Sequence, residues 1–140
     1  MTDSNSVFLD TSPIIYLIEN HPLHYSKTAA YLADTINQDI LLITSVISIA
    51  EFGVKPKKTN NHELLDEMEN MLAVLHVNVV DINRSMAEIS STLRAKYLSL
   101  KNFDALQIAC AINYGCKRFL TNDIQLKKIK ELEVILIDEL

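Results

Sequence analysis

The stretch Val7-Phe8-Leu9-Asp10-Thr11-Ser12-Pro13 decides the fold. Three apolar residues with strand preference run into an acid, and Ser12-Pro13 then opens a helix. Ser12 can cap that helix, and Pro13 suits its first turn, where an N–H has no partner to lose. Asp10 therefore falls at the carboxyl end of a strand, above the amino end of the next helix. In an open parallel sheet, ligands bind at that edge.

The alternation repeats outward from there. The first helix is expected to run to about Glu19, with a break at Asn20-His21-Pro22. A second helix to about Gln38 carries Tyr25, Ala29, Leu32, Ala33 and Ile36 on one face. Ile40 to Thr44 is a continuous apolar run, the pattern of a strand covered on both faces. Ser45 then caps a helix from Val46 to about Phe52, which Gly53 and Pro56 end, and a polar loop follows over 55–61. A helix through Ala73 precedes a third strand, His76 to Ile82. Asn83 starts a long helix to about Leu98, with Met86, Ile89, Leu93 and Tyr97 on its buried side. Asn102 caps a helix from Phe103 to Tyr114, which Gly115 terminates. Arg118 to Thr121 is a short strand, Asp123 to Leu132 a last helix and Glu133 to Ile137 a last strand. Short apolar strands separated by helices indicate an α/β protein. The expected architecture is a three-layer α/β/α sandwich around a mainly parallel sheet of about five strands.

Bulk properties narrow the function. The 140 residues suit a single domain over 1–140, burying roughly two-thirds of its unfolded surface. A net charge of −5 argues against a protein that coats duplexes, so nucleic-acid contact would need local basic patches or bound cations. Cys110 and Cys116 lie six apart in one helix and its exit, spacing that does not favour a disulfide and fits a reducing compartment. The polar, acidic start Met1-Thr2-Asp3-Ser4-Asn5-Ser6 is unlike a signal peptide, and no apolar run is long enough for a membrane span. A cytoplasmic location is expected. With Gly53 and Gly115 the only glycines, neither a Walker loop nor a dinucleotide fingerprint can be built. Asp10-Thr11-Ser12 lacks the second acid of an aspartyl-phosphate phosphatase, and no serine or cysteine has a partner histidine in view. His21, His24, His62 and His76 show no ligand spacing and are assigned neither to metal nor to catalysis.

Three further acids stand out by context. Glu51 is the one charge between Ile40 and Val54, and Asp104 the one charge from Asn102 to Tyr114. Asp123 follows Leu120-Thr121-Asn122 at a strand's carboxyl end, as Asp10 follows Leu9. Acids of this kind cost several kcal/mol if buried unpaired, and together they repel. A divalent cation resolves both costs, and hard oxygen donors suit Mg²⁺ or Mn²⁺. Such an ion can polarise a phosphoryl oxygen and activate water. Each acid also has a structural reading: Asp104 favouring a helix amino end, Asp123 capping with Asn122, Asp10 sitting in a turn. Glu51, in mid-helix, has no capping role.

At these residues the sequence resembles the PIN-domain ribonucleases, most closely the VapC-like toxins of toxin–antitoxin pairs. The likeness rests on Phe8-Leu9-Asp10-Thr11-Ser12, Thr44 to Phe52, Phe103 to Ala109 and Leu120-Thr121-Asn122-Asp123, in the family's order. It implies an Mg²⁺- or Mn²⁺-dependent endoribonuclease that cuts single-stranded or loop RNA to leave a 5′-phosphate and a 3′-hydroxyl. It also implies that Asp10, Asp104 and Asp123 ligate the metal and that Glu51 orients water or completes the shell. Thr11, Ser45, Thr121 and Asn122 match polar positions that support the acids. The resemblance further implies a homodimer and a small antitoxin whose carboxyl segment enters the groove. Leu126 stands where the family commonly has an aromatic.

Lys55, Lys57 and Lys58 follow the Glu51 helix and could hold RNA phosphates, or simply form a solvated loop. Arg94, Lys96 and Lys101 precede Asp104 and carry a weaker signal of the same kind; Lys127, Lys128 and Lys130 complement a helix end. Three functions follow: a toxin ribonuclease, a stand-alone nuclease of RNA processing or turnover, and a catalytically silent binding module.

Overall fold

The computed structural model describes residues 5–140. Most of the polar start read as unlike a signal peptide, Met1 to Ser4, lies outside the described residues. The chain runs β1 (Ser6–Leu9), α1 (Thr11–Ile18), α2 (Tyr25–Asn37), β2 (Leu41–Ser45), α3 (Val46–Lys58), α4 (His62–Val74) and β3 (Asn78–Val80). It continues through α5 (Arg84–Lys96), α6 (Asn102–Asn113), β4 (Arg118–Thr121), a 3-10 turn (Ile124–Lys128), β5 (Glu133–Leu136) and a closing 3-10 turn (Ile137–Glu139). The strands order as β3-β2-β1-β4-β5, and every pairing is parallel. The chain winds from β1 outward through β2 to β3, then returns to the other side of β1 with β4. The reversal puts the topological switch point between β1 and β4. A crevice opens there at the strands' carboxyl ends.

Side-chain alternation in β1 divides the core. Phe8 faces the α5–α6 side, where it stacks on Phe119 with ring centroids 5.4 Å apart and joins Met86, Leu93 and Ile108. Val7 and Leu9 face the opposite side with Leu32, Leu42 and Leu120. A third cluster, Ile14, Ile18, Phe52, Met68 and Leu72, fills the space among α1, α3 and α4. Every β1 residue is buried, the polar Ser6 included, as befits a strand covered on both faces.

Five helices stop by one device. Asn20, Asp39, Asn60, His76 and Gly115 each take a positive φ, between 49° and 73°, just past a helix end. The next amide then reaches back over the last turn, as in Ile40 N–H to Thr35 C=O (3.1 Å), Val77 N–H to Leu72 C=O (2.9 Å) and Cys116 N–H to Ala111 C=O (2.9 Å). In these three cases β2, β3 or β4 begins one or two residues later, so the stop also aims the strand.

Several sequence expectations need correction. The cap of α1 is Asp10, not Ser12: its carboxylate accepts the Thr11 N–H at 2.8 Å. Helix α3 does not end at Phe52; it runs to Lys58 through Gly53 and Pro56, whose inward faces are buried with Phe52. Packing outweighs propensity there, since a proline in the last turns forfeits one bond while burying its ring. The expected 55–61 loop is therefore mostly helix, and Lys55 and Lys58 fall one and two turns beyond Glu51 on its face. Lys101 rather than Asn102 precedes α6. The expected helix from Asp123 to Leu132 is instead a short 3-10 turn, held by Leu126 N–H to Asp123 C=O and Ile129 N–H to Leu126 C=O, both 3.1 Å. Leu126 and Ile129, three apart, are both buried, and that spacing suits three residues per turn.

Gly53 supplies a test. A methyl group there would meet only the end of the Lys57 side chain, at 3.9 Å. Gly53→Ala should stabilise the protein by about 0.5–1 kcal/mol through lower unfolded-state entropy, read as a raised urea midpoint at constant slope.

Candidate active site

Asp10, Glu51, Asp104 and Asp123 line one cleft of about 450 Å³, with Thr11, Ser12, Ile15, Tyr16, Thr121 and Asn122 completing its wall. The cleft is the crevice of the switch point. Asp10 leaves the end of β1, Asp123 follows β4, Asp104 stands in the first turn of α6 and Glu51 in the middle of α3. Two strand ends and two helices, 113 residues apart from first to last acid, thus deliver one acidic surface.

The four differ in burial. Asp10 is buried, Asp104 and Asp123 are half-buried, and Glu51 is exposed. The cost of a secluded charge, argued for the set, therefore falls mainly on Asp10. Its Oδ1 accepts the Thr11 amide (2.8 Å) and its Oδ2 accepts the Thr121 hydroxyl (2.7 Å). Burial nevertheless pushes its pKa from 3.8 to about 6, against those two hydrogen bonds and with help from the Asp104 and Glu51 charges. Burial also raises Asp104, and the charges of Asp123 and Glu51 add to it, while Lys101 and Lys128 pull the other way. Among the described residues none of the four joins a salt bridge.

Of the supporting residues, Thr11 and Thr121 touch acids. The Thr11 hydroxyl donates to Glu51 Oε1 (2.6 Å), and Thr121 Oγ1, besides donating to Asp10, accepts the Asp123 N–H (3.1 Å). Ser45 and Asn122 do not. Ser45 Oγ caps α3 by accepting the Ile47 N–H and donates to Gln107 Oε1. Asn122 instead bonds the Tyr16 hydroxyl (3.2 Å) and accepts the Asp138 N–H (3.0 Å), tying the closing turn to the cleft wall. Lys55 pairs with Glu19 at 2.9 Å, and Lys57 and Lys58 are exposed; none of the three lines the cleft.

Beneath the acids lies a polar layer that sequence reasoning passed over. Gln107, 1% exposed, donates to Ser48 Oγ at 2.9 Å. Ser48 in turn contacts Thr11 Oγ1 (3.1 Å) and Thr44 Oγ1 (2.9 Å), and Thr44 donates to the Leu9 carbonyl (2.8 Å). Because Thr11 and Thr44 spend their hydrogens on Glu51 and Leu9, the single Ser48 hydrogen can go to only one of the two at a time. The chain Gln107–Ser48–Thr11–Glu51 links the core to the acids, with the Thr11 hydroxyl pointing to Glu51. The signal was present in the sequence, as a glutamine and a serine on the apolar faces of α6 and α3. Gln107→Leu should cost about 1–3 kcal/mol, because the Ser45 hydroxyl loses its acceptor in a dry site. A urea unfolding midpoint equal to wild type would count against this network.

The donor set fits a hard divalent cation: carboxylate oxygens around one cleft, those of Asp10 and Asp104 pushed up by burial and neighbouring acids, with no salt-bridge partner among the described residues. As placed, no three acidic, histidine or cysteine side chains among the described residues converge closely enough to form a ready ligand shell. Glu51 is turned aside to Thr11. A separate groove between α2 and α4, of similar volume, is lined mainly by apolar residues such as Leu32, Ile36 and Met71 and holds no carboxylate. Both cysteines are buried and unpaired, as their spacing suggested.

Comparison with known proteins follows the same lines. No curated protein sequence matches the chain. Among solved structures, DNA-bound VapBC from Salmonella typhimurium superposes with a TM-score of 0.74 at 20% identity, over 94% of this chain and 98% of that one. VapBC2 from Rickettsia felis, bound to a promoter DNA fragment, gives 0.72 at 23% identity, over 94% and 98%. VapC20 of Mycobacterium tuberculosis, a sarcin–ricin loop cleaving toxin, gives 0.66 at 15% identity, over 91% and 98%. The PIN domain profile matches residues 7–132, from the first strand past the last of the four acids, and the chain belongs to the PIN domain family.

Proposed function

We propose that this chain is an Mg²⁺- or Mn²⁺-dependent endoribonuclease, the toxin of a type II toxin–antitoxin pair. One observation carries the reading: four acids from distant parts of the chain line the switch-point cleft, and among the described residues none of them joins a salt bridge. The solved structures it resembles add support, since they include a toxin–antitoxin complex from Klebsiella pneumoniae and a toxin named for cleaving the sarcin–ricin loop.

Asp10, Asp104 and Asp123 would hold the metal, and Glu51 would complete the shell. When bound, a divalent ion supplies stabilisation of the charge building on the phosphoryl oxygens and eases loss of a proton from water. Hydrolysis breaks the P–O3′ bond: the hydroxyl of water ends on phosphorus and a proton on the 3′ oxygen. Asp10, fixed through both oxygens, sets the floor of the site. Glu51 is held through one oxygen, and its other oxygen has no hydrogen-bond donor among the described residues, which supports a role in orienting the attacking water. Lys55 and Lys58, on the Glu51 face of α3, with Lys57 beside them, would meet phosphates of the RNA outside the cleft. The remaining parts of the reading are a single domain over 1–140, a homodimer, an antitoxin partner and a cytoplasmic location. Among the described residues no helix is long and apolar enough to cross a membrane.

The test has two arms. Purified protein should cleave single-stranded RNA in Mn²⁺ and leave 5′-phosphate ends, and its expression should arrest bacterial growth until the neighbouring gene's product is co-expressed. Cleavage without growth arrest would favour a processing nuclease. Absence of cleavage would remove the enzyme reading.

A further inference from the structure

The acidic cleft does not end at its acids. A second hollow, of about 500 Å³, is lined by Lys101, Asn102 and Phe103 together with Glu51, Asp104 and Asp123. The two hollows thus share three acids, which stand on the saddle between them. On one side lie Ile15, Tyr16 and Asn122, and on the other Lys101, Asn102 and Phe103. A strand crossing the acids must leave over one arm after entering by the other.

The arms differ in how their aromatic is held. Tyr16 is pinned: it packs against His21 and His24, with ring centroids 4.8 and 4.5 Å away, and its hydroxyl accepts from Asn122. Phe103 is 51% exposed and pairs with no other ring among the described residues, although it sits on a helix that buries Ala105, Gln107, Ile108 and Ala109. A lone exposed phenylalanine is unremarkable on a surface. One that shares a hollow with three carboxylates and a lysine is placed where a nucleotide next to a reacting phosphate would lie. Lys101 is exposed beside it, and the charges of Lys101 and Lys128 both reach Asp104, so this arm is the less negative exit from the acids. An aromatic face beside a cation is how proteins hold single-stranded nucleic acid without reading its sequence.

We propose that the Lys101–Phe103 arm is a nucleotide subsite, in which the Phe103 ring stacks a base of the RNA adjacent to the cleaved bond and Lys101 holds its phosphate. The inference rests on the nuclease reading above and names how that site grips its substrate. Stacking of this type tolerates any base, so the subsite contributes affinity and registers the strand over the acids, leaving base choice to other contacts.

The experiment uses the full chain, Mn²⁺ and short oligoribonucleotides, homopolymeric and mixed, that wild type cleaves. Phe103→Ala should raise KM about tenfold with kcat little changed, and Phe103→Trp should restore it. Removing the base at one nucleotide beside the cut should raise the wild-type KM by the same factor and leave Phe103→Ala unaffected. Lys101→Ala should reduce the slope of log KM against log salt by about 0.7, the loss of one phosphate contact on a single strand. Wild-type cleavage with an unchanged KM in Phe103→Ala, or a defect that persists at every abasic position, overturns the subsite and leaves the nuclease standing. If wild type cleaves none of the oligonucleotides, the nuclease reading falls and the subsite with it.

Discussion

Asp10→Asn and Asp104→Asn should each lower RNA cleavage in Mn²⁺ by a factor on the order of 10²–10³, with folding intact. The size follows from what is removed. Stabilising charge on a transferring phosphoryl group through a metal is worth several kcal/mol, and each 1.36 kcal/mol is tenfold in rate. Asparagine keeps the shape and one carbonyl oxygen but loses the charge, so it separates electrostatics from packing. At Asp10 the Thr11 N–H still finds an acceptor, and the Thr121 hydroxyl can accept from the new amide. At Asp104 the side chain is half-buried in the first turn of α6, where an uncharged residue costs a few tenths to about 1 kcal/mol. Neither change should unfold the chain, which circular dichroism will check. Thr11→Val probes the same machinery one step out: it deprives Glu51 of its donor and should cost roughly 10–100-fold. If both asparagine variants cleave as wild type does, the cleavage does not come from this site and the acids serve structure alone.

The site was more legible than the local structure around it. Asp10 and Asp123 could be placed because each directly follows an apolar strand, and parallel topology then sends both to one edge. Glu51 and Asp104 could be suspected because each is a lone charge in an apolar helix. None of this required accurate helix ends. The errors fell where a short-range signal competes with packing. Gly53 and Pro56 read as a stop, yet the face they share with Phe52 is buried, and α3 continues through both. Apolar residues from Ile124 to Leu132 read as an α-helix, yet the segment forms a 3-10 turn that buries Leu126 and Ile129 at three-residue spacing. The role of Ser45 was out of reach for another reason. Its partner, Gln107, is 62 residues away in sequence, and no local pattern shows that two polar side chains will meet across a core. The same holds for Phe103: its exposure, on the acidic side of an otherwise buried helix, is visible only in three dimensions.

The second large effect concerns stability, and its sign is opposite to that of most acidic residues. Asp10 titrates near 6 in the folded protein and near 3.8 when unfolded. Between those values the folded state binds the extra proton, so the Asp10 contribution to stability falls as pH rises from about 4 to about 6, and stays low above. The full span is roughly 3 kcal/mol, about 10 °C in Tm for a chain of this size. Asp10→Asn is uncharged throughout. Metal-free, it should melt with wild type near pH 4 and well above wild type at pH 7. Other carboxylates titrate over the same range, and the difference between the two proteins cancels them. Mn²⁺ should then close the gap from below. A cation that binds only the folded state at a hundred times its Kd adds about 2.7 kcal/mol, close to what ionising Asp10 removes. Wild type should therefore gain most of the lost Tm at pH 7, little at pH 4 where protons compete for the carboxylates, and Asp10→Asn should move much less at either pH. Two failures are separable. Parallel pH profiles for the two metal-free proteins would mean that Asp10 is not the strained acid. Equal Mn²⁺ shifts in both would mean that the ion binds elsewhere, whatever the pKa of Asp10.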